Sequence, residues 1–175
     1  MDIMLDLETL GSSPGCAILS IGAVAFDTTT IHDSFTVHID ARSCQQARLS
    51  IDADTVLWWL RQDEDARRSI IEAPTEPLGI ALARFSVWLA VQAKPIRLWS
   101  KGPSFDAAIL AAAYRAIGLP VPWDFRDERC VRTALELSGV DGNRFREAGA
   151  VRHDAFADAM TQARAVQAAS QIFGK

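Results

Sequence analysis

From its first residues the chain interleaves Ile3, Leu5 and Leu7 with Met4, Asp6 and Glu8, the two-residue period of a β-strand. Positions i and i+2 of a strand share a face, roughly 7 Å apart, so the Asp6 and Glu8 carboxylates look into the same space. That face is either wet or set against something positive. Gly11 to Gly15 (GSSPG) is turn chemistry. Ala17 to Phe26 (AILSIGAVAF) is apolar almost throughout, as a strand covered on both faces requires, and is expected to be central. Ser34 to Ile39 (SFTVHI) alternates again and predicts a third strand of an antiparallel meander.

From Asp52 the period becomes helical, with Val56, Leu57 and Leu60 on one stripe and Trp58 and Trp59 between them. A longer helix is expected from Thr75 to Ala93, with Thr75 as cap, Pro77 in the first turn and Pro95 beyond its end. Ile96 to Ser100 (IRLWS) reads as a short strand and Ser104 to Ile117 as an alanine-rich helix stopped by Gly118 and Pro120. A short strand near Phe125, a helix around Val131 to Leu137, a glycine-bearing loop and a final helix from Asp154 to Ile172 complete the pattern. Strands first, then helices alternating with strands, predict an α/β fold with a mixed sheet and helices on its faces.

Composition narrows the setting. A length of 175 residues, 49% hydrophobic and 23% charged, suits a single domain over residues 1–175. No stretch is apolar for long enough to span a bilayer, and the N-terminus lacks the pattern of a secretory signal; the expectation is a cytoplasmic protein without membrane contact. Cys16, Cys44 and Cys130 are far apart and read as reduced packing residues. The net charge of -4 argues against gripping a long nucleic acid by bulk attraction. Arg126, Arg129, Arg132, Arg144, Arg146 and Arg152 are concentrated in one region, but five acids are interspersed with them, so a substrate-flanking patch and a mixed solvated surface remain two readings.

Further acids give the opening strand its meaning. Asp106 falls in the first turn of the helix after Lys101-Gly102-Pro103, where a carboxylate also serves as a dipole partner. In Val151-Arg152-His153-Asp154-Ala155-Phe156-Ala157-Asp158, Asp154 is a natural N-cap. Asp158, one turn inside, stands among alanines suited to close packing, where a bare charge is expensive. Four acids from separate element ends, with one histidine beside them, are what two-metal hydrolysis of a phosphodiester requires. Hard oxygen ligands suit Mg2+ or Mn2+, and a histidine can take a proton from water near neutral pH. Two carboxylates about 4 Å apart repel by roughly 4 kcal/mol at an effective dielectric near 20, which gives such a site an appetite for cations.

The segments DLETLG, SFDAAIL and HDAFAD resemble the three exonuclease motifs of the DnaQ-like superfamily in its histidine-bearing DEDDh branch. The resemblance spans essentially the whole chain and includes the His153-x4-Asp158 spacing. MDIMLDLETLG, the Trp58-Trp59 pair and WSKGPSFD are similar to small phage and bacterial 3'-5' exonucleases, the phage T4 type and a mycobacterial exoribonuclease-like group among them. It implies an RNase H-like fold with a central five-stranded mixed sheet, and release of nucleoside 5'-monophosphates from single-stranded 3' ends of DNA or RNA. By matching position, Asp6, Glu8 and Asp158 would hold the ion carrying the nucleophilic water, with Asp6 bridging to a second ion. Asp106 would hold that second ion and His153 would be the base. Thr9 and Leu10 would contact the terminal nucleotide, Leu10 as a wedge. Gly102 stands where many relatives carry asparagine, leaving Ser100 and Lys101 as substitute substrate contacts. Phe105 and the five tryptophans are expected in the core or at a homodimer interface. A silent domain that binds nucleic-acid ends or a partner protein is the alternative; such a domain is expected to lose metal ligands, and none of the five residues is missing.

Overall fold

The computed structural model describes residues 1–102 and 104–173; Pro103, in the turn expected ahead of Asp106, lies outside the described residues. A six-stranded sheet runs in the order β4 (Thr75–Glu76), β3 (Ile31–Ile39), β2 (Ile18–Phe26), β1 (Asp2–Thr9), β5 (Arg97–Ser100), β6 (Glu128–Cys130). The first three strands form the antiparallel meander, while β5, β6 and β4 join it in parallel. Helices α1 (Ala41–Gln46), α2 (Ala53–Leu60), α3 (Glu64–Ile71), α4 (Leu78–Ala90), α5 (Asp106–Ala116), α6 (Val131–Ser138) and α7 (Ala155–Phe173) complete the chain. This is the mixed sheet with flanking helices of the expected RNase H-like class, with six strands in place of five.

The extra strand is β4. Thr75, expected to cap a helix, instead pairs with His38, and the helix begins at Leu78 with Pro77 in the cap position. The Leu78 amide is satisfied from elsewhere, donating to Ser43 Oγ at 2.8 Å. Phe125 lies in a 3₁₀ turn capped by Asp124, and the expected strand follows it as β6. On α2 the stripe of Leu57 and Leu60 faces outward, 49% and 61% exposed, and Trp59 is the residue that turns inward. Helices α1 and α3, short and with one buried residue each, were not foreseen.

Strand β1 separates two packed layers. Ile3, Leu5 and Leu7 bury into the main core with Leu82, Phe85 and Tyr114. Met4, on the opposite face, packs with Val24 and Phe26 against Ala159, Ala163 and Val166 of α7. The small residues of α7 let it lie close to the sheet, and at one point only glycine fits. A Cβ on Gly22 would overlap the Ala155 carbonyl and the Phe156 nitrogen. Gly22 is the register partner of Asp6, so the close approach brings the first turn of α7 down beside the acidic end of β1. Among the described residues no helix is long and apolar enough to cross a membrane.

Candidate active site

The alternation of β1 carries Asp6 and Glu8 out of the sheet on the α7 side, continuing the face that Met4 begins. Asp106, the first residue of α5, reaches the same place from the other side. Its Oδ1 accepts the Leu7 backbone amide at 3.2 Å, which fixes the start of α5 to the middle of β1. Asp154 caps α7, with Oδ1 accepting from Ala157 N at 2.8 Å, and one turn later Asp158 faces the strand. Ligand atoms of Glu8, His153 and Asp158 lie within 4.8 Å of one another. Asp6, Glu8, Asp106, Asp158 and His153 all line one cavity of about 800 Å³.

His153 has a φ of 58°, a left-handed conformation uncommon outside glycine and adopted more readily by asparagine, aspartate and histidine than by other residues. Its ring stands edge-to-face against Trp58, centroids 4.7 Å apart, and near Trp59 at 6.1 Å. The Trp59 indole N–H in turn donates to the Thr9 carbonyl at 2.9 Å. The tryptophan pair thus ties the histidine to the end of β1. Trp59 is buried, whereas Trp58 is 40% exposed on the cavity wall, in neither the core nor a position taken up by packing.

The electrostatics are those of uncompensated acid. Burial, then Asp106, Glu8 and Asp158, hold the Asp6 carboxyl well above its ordinary value, and a hydrogen bond from Gln162 opposes them. Burial, then Asp158, Asp154 and Asp106, push Glu8 up to about 8. Burial raises Asp106 to about 7 against the pull of the Leu7 amide and Arg132. Burial lowers His153 below its usual value, with Arg152 and Arg146 adding to the effect and Asp158 opposing it, so its ring is largely neutral near pH 7 and keeps a lone pair. Carboxylate oxygens crowded in this way are the donor set that hard divalent cations take, and the charge they would bring is what the cluster lacks.

The substrate-contact expectations divide. Thr9 lines the cavity, although its hydroxyl is already donating to the Gly11 carbonyl at 2.7 Å, and Lys101 stands exposed on the wall. Leu10 is half-buried against the main core and is not among the cavity residues. Ser100 is buried off the cavity, its hydroxyl without a partner among the described residues. Phe105 packs partly against the core as expected, with one side on the cavity.

Two residues were not foreseen. Gln162 Nε2 donates to Asp6 Oδ1 at 2.6 Å; its i+4 spacing from Asp158 puts both on one helix face, a signal the sequence does contain. Arg146 Nη2 lies 2.8 Å from Asp158 Oδ1, a pairing across a loop with no local signature. Of the arginine-rich region, Arg132, Arg146 and Arg152 reach cavities that meet at the carboxylates.

Comparisons with known proteins identify the family and the fold. A family model described as the 3'-5' exoribonuclease Rv2179c-like domain matches residues 1–170. An exodeoxyribonuclease of Enterobacteria phage T4 is 27% identical over 161 residues, 77% of this chain and 70% of that protein. Two solved structures share the fold at 14% identity, each over 97% of this chain. They are the nuclease domain of 3'hExo, a DEDDh family member, bound to rAMP (TM-score 0.56, 91% of that chain) and the cell-death related nuclease 4, CRN-4 (TM-score 0.53). The chain spans 63% of the length of the CRN-4 chain.

Proposed function

Since the chain belongs to the Rv2179c-like 3'-5' exoribonuclease domain family and is a 3'-5' exonuclease, we propose that it shortens single-stranded DNA or RNA from the 3' end. The proposed products are nucleoside 5'-monophosphates, and the proposed cofactors are two Mg2+ or Mn2+ ions. The observation that carries this reading is the convergence of Asp6, Glu8, Asp106, Asp158 and His153 on one cavity, where burial and mutual repulsion hold the Asp6 and Glu8 carboxyls well above their ordinary values.

Asp6, Glu8, Asp106 and Asp158 would hold the ions, which would supply positive charge for the negative charge that develops on the phosphate oxygens and would acidify the attacking water. The remaining work falls to the chain. A neutral ring nitrogen of His153 accepts the proton of the attacking water, with Trp58 and Trp59 fixing the ring and the left-handed backbone aiming it. The Leu7 amide and Gln162 hold Asp106 and Asp6 in place, so that the ligands need no rearrangement as the reaction proceeds. Thr9 and Lys101 are assigned to substrate on the cavity wall, Leu10 to the chain behind it. The same reading takes residues 1–175 as one catalytic domain working in the cytoplasm, alone or as a homodimer.

The family description names an exoribonuclease and the phage relative an exodeoxyribonuclease, and the reading includes both polymers. The test is digestion of matched 5'-labelled DNA and RNA oligonucleotides in Mg2+, Mn2+ or chelator. A ladder retreating from the 3' end that chelator abolishes is expected. Intact oligonucleotides with both metals and both polymers would refute it.

A further inference from the structure

The carboxylates divide two chambers of different chemistry. The first, of about 800 Å³, has Trp58, Trp59 and Phe105 on its walls beside Lys101 and Arg132, flat apolar surfaces that suit a base and sugar. The second, of about 490 Å³, shares Asp6, Asp158, Lys101 and His153 with the first and has no aromatic side chain other than that histidine. Its charged residues are Lys101, Arg146 and Arg152, facing Asp6 and Asp158. Asn143, Thr161 and Gln162 supply further polar groups.

Arg146 stands at the boundary. In the free protein its guanidinium rests on Asp158 at 2.8 Å. Once Asp158 serves as a metal ligand, that cation needs another anion, and the second chamber is where its side chain already points. The segment beneath it lies against α6 and α7: Gly142 packs close to Leu135, and Arg164 pairs with Glu147 at 2.5 Å. With Asp6 and Asp158 committed to metal, the chamber is left with three cationic side chains and no base-stacking surface.

We propose that this second chamber binds the phosphodiester next upstream of the scissile one, gripped by Arg146 and Arg152 with Lys101, while the terminal nucleoside occupies the aromatic chamber. A scissile phosphate at the shared carboxylates sends its two ester arms to opposite sides, and the wall chemistry assigns each arm. The inference rests on the exonuclease reading above and adds to it the recognition of a second backbone charge.

The test couples a change in the substrate to a change in the protein. A trinucleotide with the natural upstream diester is compared with one carrying an uncharged methylphosphonate there, for the wild type, the Arg146→Gln/Arg152→Gln double variant and the Arg146→Lys/Arg152→Lys double variant. Losing a charge-assisted contact of this kind raises KM by about ten-fold or more. The wild type is expected to show that penalty on the methylphosphonate, the glutamine variant to cleave both substrates with the same raised KM, and the lysine variant to recover the preference. A wild type indifferent to the methylphosphonate, or a glutamine variant keeping the full preference, overturns the proposal. A wild type that cleaves neither trinucleotide with either metal overturns the exonuclease reading itself, a distinguishable result that removes this proposal with it.

Discussion

Strand β1 carries an acid at each end of the same face, and the two ends treat their acids in opposite ways. Asp2 is buried and fully answered: Arg97 approaches it with two nitrogens at 2.6 Å, and Trp99 Nε1 donates to it at 2.7 Å. At the other end Asp6, Glu8, Asp106 and Asp158 are gathered with one amide from Gln162 on Asp6, the Leu7 amide on Asp106 and one guanidinium on Asp158. A buried charge is tolerated when partners satisfy it. The first end meets that condition within the chain, and on the proposed function the second has it met from outside. The contrast also explains why acidity alone is a poor guide to function: Asp2 and Asp6 share a strand and a face, and differ in what stands opposite and in their access to the cavity.

The comparison can be broken at either end. Asp6→Ala should lower exonuclease activity the most, by on the order of 10³-fold or more, since metal-borne charge stabilisation worth several kcal/mol depends on that carboxylate; rates on a labelled oligonucleotide check this. Gly22→Ala attacks the same end without touching an acid. The added methyl meets the backbone of Ala155 and Phe156 and must lift the first turn of α7, so activity should fall on the order of 10²-fold while α7 stays helical by circular dichroism. A near-normal rate would mean that the close approach at Gly22 does not position the site.

Asp2→Ala should do the reverse. It strips the partner from the Trp99 indole and from Arg97, and denaturant unfolding should show a loss of about 1–3 kcal/mol with turnover close to the wild type's.

How much of this was legible beforehand follows from the range over which each feature is decided. The β1 alternation, the apolar β2 and the His153-x4-Asp158 spacing are local, and the five catalytic candidates could be picked from them. The two-residue β4 exists because Ile39 and His38 offer it an edge, so Thr75 looked like a helix cap. The outward face of Leu57 and Leu60 follows from Trp59 taking the inward place through its hydrogen bond to Thr9, a contact across 50 residues. Arg146 reaches Asp158 and Gln162 reaches Asp6 only after α7 has docked, and Gly22 resembles any strand glycine until the helix above it is seen.

A smaller effect sharpens the contrast through pH. Glu8 lies near 8 against an ordinary 4.5, and Asp106 near 7 against 3.8. Across that window the folded chain holds more protons than the unfolded one, so stability falls as pH rises. Metal-free protein should therefore lose thermal stability between pH 4.5 and about 8, and saturating Mg2+ or Mn2+ should flatten the decline by replacing the protons. A metal-free melting curve that rises through this range would contradict the assignment.

The central claim is that the acidic end of β1 is a cage for divalent cations completed from outside the chain. Calorimetric titration of Mn2+ into metal-free protein tests it most directly. The account predicts binding of two ions by the wild type and by Asp2→Ala, with the first, tight heat lost in Asp6→Ala. No binding by the wild type, or the same isotherm from Asp6→Ala, would contradict it.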